Sequence, residues 1–331
     1  YLISKETETY NKSYAWKTAI GLQQVDGLEP SEYLIKTAEQ NINGDISFDD
    51  AHALISSYYK TSKTKADRTE EADKVSVRIA QIISENSFVF SPVELMTIHK
   101  RLFEGIYSHA GRIRDYNITK DEWVLDGDTV TYGNAFNLRE TLEYDFGVEK
   151  NFNYNGLSTE QIISHIARFI SNLWQIHIFG EGNTRTTAVF LIKYLGKLGF
   201  NVTNDIFAEN SWYFRNALVR ANYNNRAKGV FETTKYLELF LRNLLLGEDN
   251  ILSNREMHVN YKEVKSSTEE TVTREQIIVE ILEKQPKITL QEIADKIGKS
   301  LRTVKMSIKA LQESGKIERV GGKKEGSWKV L

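Results

Sequence analysis

Apolar residues return every three or four positions along most of this chain, the spacing that lines one face of a helix. Ile162, Ile163, Ile166, Phe169, Ile170 and Leu173 make one such stripe, and Ala188, Val189, Phe190, Ile192 and Leu195 make another. Between them the residues turn polar and glycine-rich, so the stretch reads as helix, loop, helix. With only 3 prolines in the chain, little interrupts such helices, and the expected fold class is mainly α.

Two regions depart from this pattern. From Glu122 to Asn137 the helical period stops, and Trp123-Val124-Leu125 and Thr129-Val130-Thr131-Tyr132 flank Asp126-Gly127-Asp128. Asp-Gly favours a tight turn between strands, so a small β-hairpin is expected there. Near the C-terminus, three short helical patterns (274–282, 289–298 and 300–311) lead into 315–320 and 327–330, two strand-like runs joined by glycines and lysines. Residues 254–273 are polar and charged. The expected organisation is a helical segment at 1–60, a central domain at 61–250, a linker at 251–272 and a last domain at 273–331.

Composition narrows the class. The 331 residues suffice for two or three domains, and the absence of cysteine excludes disulfides. No apolar run approaches the ~18 residues that would span a membrane, and no signal peptide is visible, so a cytoplasmic location without membrane contact is expected. A net charge of -2 argues against nucleic-acid binding by the chain as a whole. From Thr271 onward, however, about 13 Lys/Arg face about 8 Asp/Glu, so the last domain is basic and the remainder acidic.

The chemistry concentrates in the loop between the two central helices, His177 to Arg185. A loop that opens a helix offers unpaired backbone N–H groups and the positive end of the helix dipole, which favour phosphate. Gly182 and Asn183 suit such a cradle, and Arg185 adds a cation. Glu181 supplies a hard oxygen ligand, and Mg²⁺ is commonly held by one or two protein carboxylates plus phosphates. His177 is placed to take a proton from a nucleophile. No histidine spacing in the chain suggests a zinc site.

The stretch His177-Ile178-Phe179-Gly180-Glu181-Gly182-Asn183-Thr184-Arg185 resembles the signature of Fic-domain proteins, His-x-Phe-x-(Asp/Glu)-Gly-Asn-Gly-Arg-x-x-Arg. It departs at Thr184, where glycine or lysine is usual, and at Ala188, where the second arginine belongs. Ile98 to Tyr107 and Ala110 to Arg114 look like the family's early helix and turn, so the similarity spans roughly residues 87 to 250. The resemblance implies transfer of AMP from ATP to a Tyr, Thr or Ser hydroxyl of a protein substrate. It makes His177 the general base, Glu181 the Mg²⁺ ligand, and Gly180, Gly182, Asn183, Thr184 and Arg185 the phosphate site. The absence of the second arginine leaves weak activity or another donor open.

Further roles follow from the same resemblance. Thr129, Val130, Thr131 and Tyr132 fall on a flap that would hold the target segment as an added strand, unless the hairpin is purely structural. Tyr213, Asn222 and Tyr223 fall on the wall of the nucleotide pocket, although aromatic residues at helical spacing also fill cores. Ala19 to Ser31 looks like an antitoxin-type inhibitory module in degenerate form, in which Asp26 replaces the usual glutamate. Its expected partner is the arginine missing at Ala188, so Asp26 is either an altered inhibitor or part of a packing module.

The last domain resembles a winged helix-turn-helix. Ser300, Arg302, Thr303 and Lys305 would lead a recognition helix into duplex DNA, with Lys323 and Lys324 on the wing touching the backbone. Protein contact or homodimerisation is the competing use of this domain. The competing function for the whole chain is a DNA-binding regulator whose Fic domain senses nucleotide or is catalytically weak.

Overall fold

The computed structural model describes residues 5–61, 68–261, 274–321 and 326–331. The chain is mainly α, and it divides into two compact units, one formed by 1–122 with 127–252 and the other by 123–126 with 253–331. Among the described residues no helix is long and apolar enough to cross a membrane.

The first unit opens with α1 (Lys5–Gly21), a 3-10 turn (Leu22–Asp26), α2 (Glu32–Asn43), α3 (Phe48–Thr61) and α4 (Thr69–Ser84). It continues with α5 (Pro92–Phe103), α6 (Leu138–Lys150), α7 (Thr159–Ile176), α8 (Asn183–Lys197), α9 (Ile206–Ala221) and α10 (Lys235–Leu246). Local signals set the boundaries. Ser158 and Gln161 form a reciprocal capping box on α7, and Ser91 caps α5 ahead of a first-turn proline. The helix α8 is buried on every side from Asn183 to Ile192, which makes it the axis of the unit.

The N-terminal helices are built into this same unit. Trp16 is buried and donates its indole N–H to Asn41 at 2.9 Å. A Cβ at Gly21 would lie 2.3 Å from the Ala208 carbonyl oxygen, so only glycine lets α1 end this close to α9. The Ser211 hydroxyl closes the junction by donating to the Gly21 carbonyl at 2.6 Å. Directly after this contact the chain enters the 3-10 turn, which rests on α8.

The expected hairpin is present only as its turn. Asp126 and Gly127 both take positive φ, 60° and 81°, as an Asp-Gly turn requires. Trp123–Leu125 form a 3-10 turn instead of a strand, and among the described residues 129–132 pair with no strand. Val124 and Leu125 are both buried, and consecutive buried residues cannot sit on a half-exposed strand, whose side chains alternate between faces. Residues 129–133 are held by α7: Gln175 donates through Nε2 to the Thr131 carbonyl at 2.9 Å, and its own carbonyl accepts from Gly133 N–H at 3.1 Å.

The second unit contains α11 (Asn254–Met257), α12 (Arg274–Lys284), α13 (Leu290–Ile297), α14 (Leu301–Glu313), β1 (Ile317–Val320) and β2 (Ser327–Val330). The strands pair antiparallel, Ile317 opposite Val330. Ile278, Leu282, Ile293, Val304, Ile308, Leu311 and Trp328 form its core. Thr289 and Glu292 box the start of α13, and Gly298 ends it in the left-handed region. Residues 123–126 join this unit through the Val124 carbonyl, which accepts from Val259 N–H at 3.0 Å. Lys323, Lys324 and linker residues 262–273 lie outside the described residues.

Candidate active site

The loop joining α7 to α8 is determined almost atom by atom. Asn183 closes it with two side-chain bonds to one residue: its Oδ1 accepts from Phe179 N–H at 3.0 Å and its Nδ2 donates to the Phe179 carbonyl at 2.7 Å. Gly182 has φ 77°, and a Cβ there would strike the Phe103 ring at 2.4 Å. Thr184, the unusual residue at its position, accepts the Trp174 indole N–H at 3.0 Å and so ties α8 to α7. His99 props the loop from below. Its Nδ1 accepts from Gly111 N–H, its Nε2 donates to the Glu181 carbonyl at 2.9 Å, and its ring stacks on Phe179 at 3.7 Å. Burial lowers its pKa to about 4, which suits a ring that must accept at one nitrogen.

His177 ends α7 in the left-handed conformation, φ 49° and ψ 55°, costly for a residue with a side chain. Arg114 holds it there. Its guanidinium donates to the carbonyls of His177 at 2.6 Å, Tyr116 and Gly133 at 2.5 Å each, and Ile176 at 3.3 Å. Four carbonyls on one planar fork fix the backbone on both sides of the histidine. The His177 Nδ1 lies 3.2 Å from the Trp174 carbonyl, and a carbonyl only accepts, so Nδ1 carries the proton and Nε2 keeps its lone pair. Burial, then the charge of Lys120, push the pKa of His177 well below the ordinary histidine range. The ring is neutral, with Tyr132 against it, centroids 4.3 Å apart.

Further along the loop, Glu181 is 52% exposed, and its Oε2 pairs with Lys120 at 3.1 Å. The N-cap of α8 is Gly182, which has no side chain to cap the first turn, so the turn faces the loop as an anion-favouring helix end. Among the described residues no group of three or more His, Asp or Glu side chains is arranged to hold a metal. A metal here would therefore rest on Glu181 and a ligand's phosphates, a set that suits Mg²⁺.

Two family models match this chain: the Fic/DOC family over residues 89–195 and the winged helix-turn-helix DNA-binding domain over residues 273–318. The chain carries a Fic domain. A winged helix-turn-helix domain follows it. No curated protein matches. Two solved structures are similar at low identity. The N-terminal FIC domain of Bep8, a VirB-translocated effector protein from Bartonella sp. 1-1C, is 20% identical with a TM-score of 0.42, covering 55% of this chain and 88% of that one. A Fic family protein from Desulfovibrio desulfuricans G20 is 10% identical with a TM-score of 0.46, covering 99% of this chain and 88% of that one.

The arginine end of the Fic loop differs from its histidine end. Arg185 is wholly buried, and carboxylates surround it. Its Nη2 donates to Glu71 at 2.7 Å, its Nη1 donates to Gln23 at 3.1 Å, and its Nε lies 2.8 Å from Asp26, an ion pair without hydrogen-bond geometry. The Phe103 ring lies 4.8 Å from the guanidinium carbon. Glu71 also takes both prongs of Arg68 at 2.8 Å and the Tyr107 hydroxyl at 2.6 Å. Burial works against its charge, but the bonds from Arg68 and Tyr107 and the charge of Arg185 prevail and hold its pKa near about 2.

This corrects the expected partner of Asp26. The 3-10 turn delivers its carboxylate to Arg185, the first arginine of the signature, whereas Ala188 is packed in the core with no exposure.

The remaining candidates lie elsewhere in the Fic domain. The Tyr213 hydroxyl donates to the Tyr236 carbonyl inside the α9–α10 core. Asn222 Nδ2 donates to the Ser171 and Leu218 carbonyls, and the Tyr223 hydroxyl donates to Asp128 at 2.6 Å, beside the Asp-Gly turn. Of the flap residues, Val130 and Tyr132 are buried, and the Tyr132 hydroxyl donates to Glu122, itself paired with Arg215 at 2.6 Å. Thr129 is half-buried and Thr131 exposed. In α14, Arg302 and Lys305 are exposed, whereas the Ser300 hydroxyl caps the helix by accepting from Thr303 N–H at 3.2 Å.

Proposed function

We propose that this Fic domain is a protein nucleotidyltransferase that moves AMP from ATP to a Tyr, Thr or Ser hydroxyl. The tautomer of His177 supports this most directly: a buried, neutral ring with Nδ1 anchored and Nε2 free to accept a proton has the state a general base needs at neutral pH. In the transfer, the target oxygen bonds to the α-phosphorus of ATP as the bond to pyrophosphate breaks, and the hydroxyl proton passes to His177 Nε2. The backbone of the first turn of α8, at Asn183 and Thr184, favours the phosphates by position and dipole. Glu181 would hold Mg²⁺, which when bound neutralises phosphate charge. Asp26 and Glu71 keep Arg185 from the phosphates, so the enclosed arginine marks a restrained state.

Intact-mass measurement after incubation with ATP and Mg²⁺ tests the proposal. The chain or a partner gains one AMP, and His177→Ala lowers the rate by a factor on the order of 10² to 10⁴. Labelling at the original rate in His177→Ala would refute the mechanism.

The C-terminal domain supports a second activity, duplex DNA binding through α14, favoured by the exposure of Arg302 and Lys305 on its outer face. Binding would fall with salt, and Arg302→Ala would cost about 1–3 kcal/mol of affinity in gel-shift titrations. No shift at low salt would leave protein contact as the use of this domain.

A further inference from the structure

Lys120 has no place in the proposed chemistry so far, yet it forms an ion pair with the carboxylate of the Fic loop. It lies 61 residues before Glu181 in sequence, and its Nζ reaches Glu181 Oε2 at 3.1 Å. Its own backbone is pinned, since Lys120 N–H donates to the Thr129 hydroxyl at 3.2 Å. The ammonium is therefore delivered by the segment that leads into the Asp-Gly turn. Of the two partners, Lys120 is 27% exposed and Glu181 52%, so the carboxylate can be approached from solvent while the lysine is half-enclosed.

We propose that Lys120 is a positioning residue that competes with a divalent cation for Glu181. The argument from geometry rests on the reading of Glu181 as the metal ligand. Mg²⁺ binds a carboxylate oxygen at about 2.0–2.1 Å and requires near-octahedral surroundings. An ammonium 3.1 Å from the same carboxylate would then stand within a few ångströms of a doubly charged ion, where like charges repel and the ion's water shell needs the space. Glu181 cannot hold both in their best positions. Metal binding swings the flexible lysine stem away from the carboxylate, and the freed ammonium meets the phosphates that arrive with the metal. Without metal, Lys120 keeps Glu181 oriented and its charge neutralised.

Mn²⁺ binding followed by electron paramagnetic resonance on the full chain, without nucleotide so that water fills the positions the phosphates would take, reads this competition directly. Lys120→Met is expected to bind Mn²⁺ on the order of tenfold more tightly than the unaltered chain, because a like charge a few ångströms from a doubly charged ion is removed. Lys120→Arg retains the positive charge and should stay close to the original affinity. Glu181→Gln should lose the site. Unchanged or weaker binding in Lys120→Met, with binding still lost in Glu181→Gln, overturns the role of Lys120 and leaves the metal ligand standing. Binding that persists in Glu181→Gln instead overturns the metal reading and this inference with it. Thermal unfolding of each variant confirms that a folded protein is being titrated.

Discussion

The two ends of the Fic loop, eight residues apart in sequence from His177 to Arg185, are held in opposite ways. At the histidine end every contact serves to aim one nitrogen: Arg114 fixes the backbone, the Trp174 carbonyl fixes the tautomer, and burial keeps the ring neutral. At the arginine end the charged group itself is consumed, wholly enclosed between Asp26, Glu71, Gln23 and Phe103. On the proposed reading, a base must be preorganised with its reactive atom unspent, whereas a phosphate-binding cation is useful only if its partners can give way. The 3-10 turn supplies Gln23 and Asp26 and α4 supplies Glu71, so segments that precede the loop by more than a hundred residues govern one end of it and leave the other alone.

After loss of the histidine itself, the largest expected effect comes from breaking the histidine end without touching the histidine. Arg114→Lys retains a charge but replaces a planar fork with a single point of contact, leaving buried carbonyls without donors. His177 is then free to leave its left-handed conformation. A displacement of about 1 Å at a catalytic group can cost on the order of 10²-fold in rate. Transfer should fall by about that factor while Mn²⁺ binding at Glu181 persists. A rate within twofold of the original would show that the loop holds itself without Arg114.

The same contrast explains what the sequence disclosed. His177, Glu181, Asn183 and Arg185 are legible because the loop is contiguous and its two flanking helices carry strong apolar stripes. The capping boxes at Ser158 and Thr289, the end of α13 at Gly298 and the strands of the wing follow from rules that operate over a few residues. Arg114, Lys120 and Glu71 are not legible in this way, since they reach the loop from 63, 61 and 114 residues away from their partners. The one local trace of Glu71 is a carboxylate adjoining the buried positions Ala72, Val75 and Ile79. The hairpin at Asp126-Gly127 was half legible. Dipeptide chemistry specified the turn, but the pairing around it gave way to α7, whose Gln175 takes up the backbone of residues 131 and 133.

The arginine end gives a smaller effect of opposite sign. Asp26 is 25% exposed and Glu71 only 8%, so the two carboxylates should respond differently. Glu71→Gln removes the central acceptor of Arg185, Arg68 and Tyr107, leaves a buried guanidinium short of charge, and is expected to cost about 3 kcal/mol of stability in denaturant titrations. Asp26→Asn spares that network and loosens only the Nε side of Arg185, which should raise the transfer rate several-fold with little loss of stability. The pH dependence has a definite sign. Glu71 titrates lower in the folded protein, near about 2, than the ordinary 4.5, so its stabilising contribution is complete above pH 4.5 and drains away as the pH falls from there toward 2. Unfolding followed by circular dichroism across that window should show a steeper acid loss in the original chain than in Glu71→Gln. Equal slopes would mean that Arg185 is held by Asp26 and packing alone, and the two ends of the loop would then differ in burial and not in charge.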